Sequence, residues 1–210
     1  MTASTLRVLV ALTLVISLGG CTWLKRKAYD GFWGRESWQQ PARVIEALGL
    51  SPGDRVADLG AGGGYFTFLL AEAVGPQGRV YAVDVDTGLL SYLDERIVGG
   101  EYENVQTVLA DFDDPRIPGE GVDLIFTSNT YHHIEDRTAY FERARRYLRP
   151  GGRVAIVEFK KQDGLMSWLI GGHSTDPAEI DREMRAAGYD RVASHDFLER
   201  QSFQVFRAGR

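Results

Sequence analysis

The stretch Val56-Ala57-Asp58-Leu59-Gly60-Ala61-Gly62-Gly63-Gly64-Tyr65 constrains this chain more than any other. A short apolar run enters a cluster of glycines and leaves as a helix. Glycine lets the backbone turn tightly and lets a ligand approach the main chain. A strand that ends this way belongs to an α/β sheet, whose ligands bind at the carboxyl ends of the strands near the switch point. Three successive glycines also lose more conformational entropy on folding than packing alone rewards.

The remaining chain supports that sheet. Pro41 to Leu50 reads as a helix with Pro at its start, followed by a turn at Ser51-Pro52-Gly53-Asp54. Strands are predicted at Arg55 to Leu59, Arg79 to Val83, Val105 to Leu109, Val122 to Thr127 and Val154 to Phe159. Helical segments fall between them: Tyr65 to Val74, residues 87–98, and Asp136 to Leu148, which Pro150-Gly151-Gly152 breaks. Apolar strands alternating with helices mean a parallel sheet covered on both faces. The tail adds a helix over Asp176 to Gly188 and a hairpin, Arg191 to Phe197 with Ser202 to Arg207. The predicted fold is α/β: a Rossmann-like, doubly wound, mostly parallel seven-stranded sheet with a C-terminal antiparallel hairpin strand. No repeat or second domain is visible.

Composition narrows the partners. With 24 Lys+Arg against 29 Asp+Glu the formal charge is −5, which argues against a basic face for nucleic acid. One Cys excludes an internal disulfide and a Cys-cluster zinc site. Its position is informative. Arg7 precedes an apolar run from Val8 to Leu18, too short to span a bilayer, and Leu18-Gly19-Gly20-Cys21 follows. This resembles the lipobox of bacterial lipoproteins. The resemblance implies removal of residues 1–20, acylation of Cys21, and a lipid-anchored membrane protein of the cell envelope. The competing reading is a plain signal or anchor with a buried Cys, and a cytoplasmic enzyme if the signal is misread. With Cys21 acylated, Lys25, Arg26 and Lys27 would lie against the headgroups; the alternative for this trio is a solvated charge run. Residues 21–40 are an aromatic segment holding Trp23, Tyr29, Phe32, Trp33 and Trp38, part of which is expected to pack on the domain as a lid. The domain proper is placed at 41–210.

Two ligands compete for the glycine loop. A dinucleotide fingerprint needs G-x-G-x-x-G/A, and Tyr65 stands where its last small residue belongs. Asp58 would also repel a pyrophosphate, whereas it suits a ligand with a cationic amino-acid end. Asp84 closes the second strand, where a carboxylate accepts both ribose hydroxyls, and Asp111 follows the third, where it meets an adenine amino group. Asp58 through Gly64, Val83-Asp84, Ala110-Asp111 and Leu148-Arg149-Pro150-Gly151-Gly152 together resemble the motifs of class I S-adenosylmethionine-dependent methyltransferases, over about Asp54 to Arg207. The resemblance implies S-adenosyl-L-methionine as cofactor, held by Asp58, Gly60, Ala61, Gly62, Gly64, Asp84, Val85, Asp111, Phe112 and Ser128. A structural role competes at three of these: Asp58 as a helix cap, Asp84 and Asp111 as turn residues.

In this family the stretch after the fourth strand lines the methyl-transfer pocket, here Ser128-Asn129-Thr130-Tyr131-His132-His133-Ile134. Tyr131, His132 and His133 are the catalytic candidates, since a His takes a hydroxyl proton near neutral pH. His133 is equally a loop anchor. Adjacent His side chains are expected to point apart, so no metal site is assigned. Glu158 ends the fifth strand, Gly171-Gly172-His173 lies before the last helix, and Trp33 to Trp38 is placed to close over the cofactor or to form a surface plug. Gln201-Ser202-Phe203 is given no chemistry. The pattern resembles the small-molecule branch, near the quinone-biosynthesis type; the arsenite-methylating branch needs several Cys. The leading function is methyl transfer to a small or lipid-like acceptor. The alternative is a catalytically idle binding module of the envelope, and a nicotinamide oxidoreductase is disfavoured by Tyr65.

Overall fold

The strand order is β3-β2-β1-β4-β5-β7-β6 in one seven-stranded sheet. The structure is a computed structural model and describes residues 35–100, 102–161 and 174–209. The leader, Cys21, the aromatic residues up to Trp33, and Gly171-Gly172-His173 lie outside the described residues. Helices α1 (Arg35–Gln39) and α2 (Pro41–Leu48) precede β1 (Arg55–Leu59). There follow α3 (Tyr65–Val74), β2 (Arg79–Asp84), α4 (Thr87–Gly100), β3 (Val105–Leu109) and β4 (Val122–Ser128). Then come α5 (Arg137–Ala144), β5 (Leu148–Phe159), α6 (Pro177–Ala186), β6 (Tyr189–His195) and β7 (Gln201–Ala208). β1 pairs in parallel with both β2 and β4, β2 with β3, and β4 with β5. β7 inserts antiparallel between β5 and β6.

Side chains alternate across each strand, so the sheet has two apolar faces. One carries Val56, Val80, Leu124, Phe126, Ala155 and Val157 against Val44 of α2, Leu70 of α3 and Leu93 of α4. The other carries Ala57, Val83, Ile125 and Ile156 against Phe141 of α5 and Met184 of α6. The inner strands β1, β2, β4 and β5 are buried on both sides, which favours apolar residues at most positions, and that is why they read as nearly continuous runs.

Several boundaries differ from expectation. The helix from Asp136 was expected to reach Leu148. It ends at Ala144, tightens into a 3-10 turn over Arg145–Tyr147, and Leu148 opens β5 by pairing with Val122. β5 therefore starts before Pro150-Gly151-Gly152 rather than after it. A register shift between Val122 and Leu124 absorbs the Gly-rich segment, and Gly151 sits at φ +83°. β6 spans Tyr189–His195 rather than Arg191 to Phe197: Tyr189 pairs with Ala208, and Gly188 at φ +83° turns the chain directly into the strand. Asp136 and Asp176 cap α5 and α6, accepting from the Ala139 and Ala178 amides. Ahead of the Pro41 boundary, α1 packs at the carboxyl end of β5: Gln39 is fully buried and Trp38 stacks on Phe159 at 5.4 Å. Among the described residues no helix is long and apolar enough to cross a membrane.

Candidate active site

The carboxyl ends of β1, β2 and β4 converge around the glycine loop. Gly60, Gly62 and Gly64 all adopt positive φ, at +71°, +56° and +86°. Two of them also leave no room for a side chain. A Cβ on Gly60 would stand 2.1 Å from Thr130 Oγ1, and one on Gly64 would stand 2.4 Å from Leu93 Cδ2. Conformation and close approach thus both demand glycine. The amides of Gly60 and Ala61 donate to the Val83 carbonyl at 2.8 and 3.1 Å, tying the loop to the end of β2.

Asp84 completes the loop. Its Oδ2 accepts from the Gly62 amide at 2.9 Å and its Oδ1 from the Asp86 amide at 3.0 Å. Both oxygens are fixed by backbone, and each retains a second lone pair. Asp86 then caps α4, accepting from Gly88 and Leu89. Val85, 42% exposed, and Phe112, 84% exposed, are large apolar side chains left in the open beside these acids. Asp111 bridges to Asp114 through the backbone, and its carboxylate pairs with Arg116 at 2.5 Å. Arg116 therefore competes with any ligand amino group there.

Asp58 lies within β1, as expected, ahead of the glycines. It is buried, and its Oδ2 accepts the Thr67 hydroxyl at 2.7 Å. Burial pushes its carboxyl up from 3.8 to about 7; the Asp84 charge adds to the rise, while the Thr67 bond and Arg35 oppose it. Thr67 had no signal in the sequence beyond its place in the helix after the loop. Two carboxyls close together beneath a backbone loop suit a cationic ligand and disfavour a phosphate.

Residues of α1 make contacts at this end. Gln39 donates to Ser128 Oγ at 2.9 Å and accepts from Arg35 Nε. Arg35 covers the Tyr65 ring at 3.8 Å. Ser128 is thus engaged by α1, and next to it Asn129 takes a left-handed φ of +57° and accepts from Gln201 Nε2 at 2.7 Å. Gln201 was given no role. Its signal was topological: an antiparallel β7 begins at the edge where β4 and β5 end.

The three catalytic candidates separate. Tyr131 is fully buried, stacks on Phe141, and donates its hydroxyl to Glu183 Oε2 at 2.8 Å. Burial, reinforced by Glu183, drives its pKa well above the ordinary value. Arg137 bonds the same Glu183 at 2.7 Å, so Tyr131, expected among the catalytic candidates, is engaged in a clamp between α5 and α6. His133 is exposed. His132 is held by Glu158: Nδ1 lies 3.0 Å from Oε1, the His132 amide donates to Oε2 at 3.3 Å, and the Phe159 amide donates to Oε1 at 2.8 Å. The two His rings do not point apart as expected. A single 3-10 turn brings their centroids to 4.0 Å. Among the described residues no group of three or more His, Cys, Asp or Glu is arranged to hold a metal ion.

A family model described as "Methyltransferase domain" matches residues 50–206. An arsenite methyltransferase of Halobacterium salinarum is 35% identical over 154 residues, covering 68% of this chain and 39% of that protein. Phosphoethanolamine N-methyltransferase 1 of Arabidopsis thaliana is 28% identical over 161 residues, covering 77% of this chain and 30% of that protein. This chain therefore spans well under half the length of these relatives. A solved SAM-dependent methyltransferase of Aquifex aeolicus superposes with a TM-score of 0.75 at 24% identity, covering 87% of this chain and 96% of that one.

Proposed function

This chain belongs to the methyltransferase domain family, and on that premise we propose that it binds S-adenosyl-L-methionine and methylates a small or lipid-like acceptor. The observation that carries the reading is Asp84, with both carboxylate oxygens fixed by the Gly62 and Asp86 amides at the mouth of the glycine loop. A carboxylate so oriented is preorganised to take a ribose diol. Val85 and Phe112 flank the place where a flat base would be covered. The acidic pair Asp58 and Asp84 suits a cationic ligand, and the absence of a side chain on Gly60, Gly62 and Gly64 lets its amino-acid end approach the backbone. When bound, this cofactor supplies an electrophilic methyl on a sulfonium; the chain's own task is positioning and water exclusion.

Calorimetric titration of the full chain with S-adenosylhomocysteine tests this. Saturable binding is expected, at least tenfold weaker in Asp84→Ala. Absence of binding up to millimolar concentration refutes it. The idle-module alternative shares these cofactor contacts and differs at the acceptor end, where the His132–Glu158 pair favours catalysis. Arsenic(III) is a soft centre that takes thiolate ligands, and with Cys21 as the single Cys in this sequence an arsenite acceptor is disfavoured.

We further propose that Cys21 is acylated and holds the enzyme on a membrane of the cell envelope. Support comes from the apolar run Val8 to Leu18 and Leu18-Gly19-Gly20-Cys21. Incorporation of a labelled fatty acid into wild type, lost in Cys21→Ser, is the expected result; an unlabelled wild type refutes it.

A further inference from the structure

Resting on the reading that the glycine loop takes the amino-acid end of S-adenosyl-L-methionine, we infer that Arg96 of α4 is a positioning residue for that end. Its guanidinium locks the Gly63–Gly64 peptide, and cofactor affinity depends on the lock. Glycine populates positive and negative φ about equally, and three in a row have no side chains to restrain them. Gly62 and Gly64 stand at φ +56° and +86°. A single working shape here needs restraint from outside the loop, because each free peptide plane carries conformational entropy. Three loop amides are already committed: Gly60 and Ala61 to the Val83 carbonyl, and Gly62 to Asp84. The Gly63–Gly64 peptide is the last full plane before α3 begins at Tyr65.

That plane is pinned at both ends. Its amide, on Gly64, donates to the Ala61 carbonyl at 2.9 Å. In a planar trans peptide the carbonyl points the opposite way. There it meets α4, where the Gly63 oxygen accepts from Arg96 Nη1, a charge-assisted bond across 33 residues of chain. The guanidinium is itself placed, 4.5 Å over the Phe68 ring and 5.7 Å from the Tyr92 ring. Leu93, three residues earlier and on the same side of α4, is the residue a Cβ on Gly64 would strike, at 2.4 Å. The start of α4 is fixed as well, since Asp86 caps it and Asp84 holds the Asp86 amide. Asp84 therefore grips the loop at Gly62, and α4 grips it at Gly63 and Gly64. Without Arg96 the plane can turn over, its carbonyl and amide exchanging sides, and the loop then no longer presents the same backbone to an amino-acid group. Apparent affinity falls in proportion to the time spent in the competent shape. The loss is confined to ligands with that group, because Arg96 makes none of the contacts of Asp84, Val85 or Phe112 proposed for the nucleoside.

The test compares two ligands on the full chain by calorimetry. One is S-adenosylhomocysteine; the other is 5′-methylthioadenosine, which keeps the nucleoside and the thioether and lacks the amino-acid end. Arg96→Met keeps a stem over Phe68 and removes the donor. It should weaken S-adenosylhomocysteine about tenfold and 5′-methylthioadenosine less than about twofold. Arg96→Lys, which restores a charged donor, should recover part of the loss. In unliganded Arg96→Met, hydrogen exchange of the Gly64 amide should quicken while core amides of β1 and β4 keep their wild-type rates. An equal loss toward both ligands marks a merely structural role and overturns the inference. So does undiminished S-adenosylhomocysteine binding in Arg96→Met, or an unchanged Gly64 exchange rate. Failure of wild type to bind either ligand refutes the underlying reading instead.

Discussion

Replacing Asp58 by Asn isolates the energy of a charge buried under the glycine loop. Burial is the main reason its carboxyl rises from 3.8 to about 7, with Asp84 adding to the rise and the Thr67 bond and Arg35 working against it. A carboxyl that holds its proton more tightly folded than unfolded gives stability that is complete below pH 3.8. That stability is lost as the pH climbs through about 7. The full displacement corresponds to ~4 kcal/mol. Asn has no proton to lose, and its oxygen still accepts from Thr67. Urea unfolding of both proteins from about pH 4 to pH 9 should therefore show the variant gaining on wild type up to about pH 7 and then keeping a constant lead of several kcal/mol. Saturating S-adenosylmethionine should narrow that lead, because a nearby cation favours the ionised form. A difference that does not vary with pH would refute the argument that Asp58 is buried with a raised pKa.

Three further outcomes follow from the geometry. Gly60→Ala places a Cβ 2.1 Å from Thr130 Oγ1 at φ +71°, so thermal unfolding should show more than ~1 kcal/mol of destabilisation, partly recovered by adding Thr130→Ala. Tyr131→Phe removes the 2.8 Å bond to Glu183 and should lower stability by ~1 kcal/mol while leaving S-adenosylhomocysteine affinity unchanged; a weakened affinity would return Tyr131 to the site. Gln39→Ala removes the 2.9 Å bond to Ser128 at a fully buried position, so hydrogen exchange should speed up across Arg35–Gln39, with ~1–3 kcal/mol lost overall.

The fold was legible because its signals are local. β1 and α3 begin and end where apolar runs meet glycine or turn residues, and the inner strands, covered on both faces, are mostly apolar. Boundaries failed where pairing overrides propensity. Leu148 and Arg149 suit the end of a helix, yet Val122 recruits Leu148 into β5. The glycine loop and Asp84 were legible for a related reason, since loop and strand end are neighbours in sequence and the backbone geometry is dictated by glycine itself.

The acceptor end was legible only in outline. Residues 128–134 could be marked, but Tyr131, His132 and His133 are indistinguishable in sequence. Rotation through one 3-10 turn buries the first, sets the second against Glu158 and exposes the third. Sequence alone therefore determined the parallel sheet, the glycine loop at its switch point and the acids at the ends of β1, β2 and β3, because short-range backbone constraints specify them. Only the tertiary structure decided which groups share an environment. Asn129 with Gln201 and His132 with Glu158 are brought together by strand order, and Asp58 with Thr67 by the packing of α3 on β1; burial then sets the proton affinity of Asp58 and the hydrogen-bonded orientation of His132.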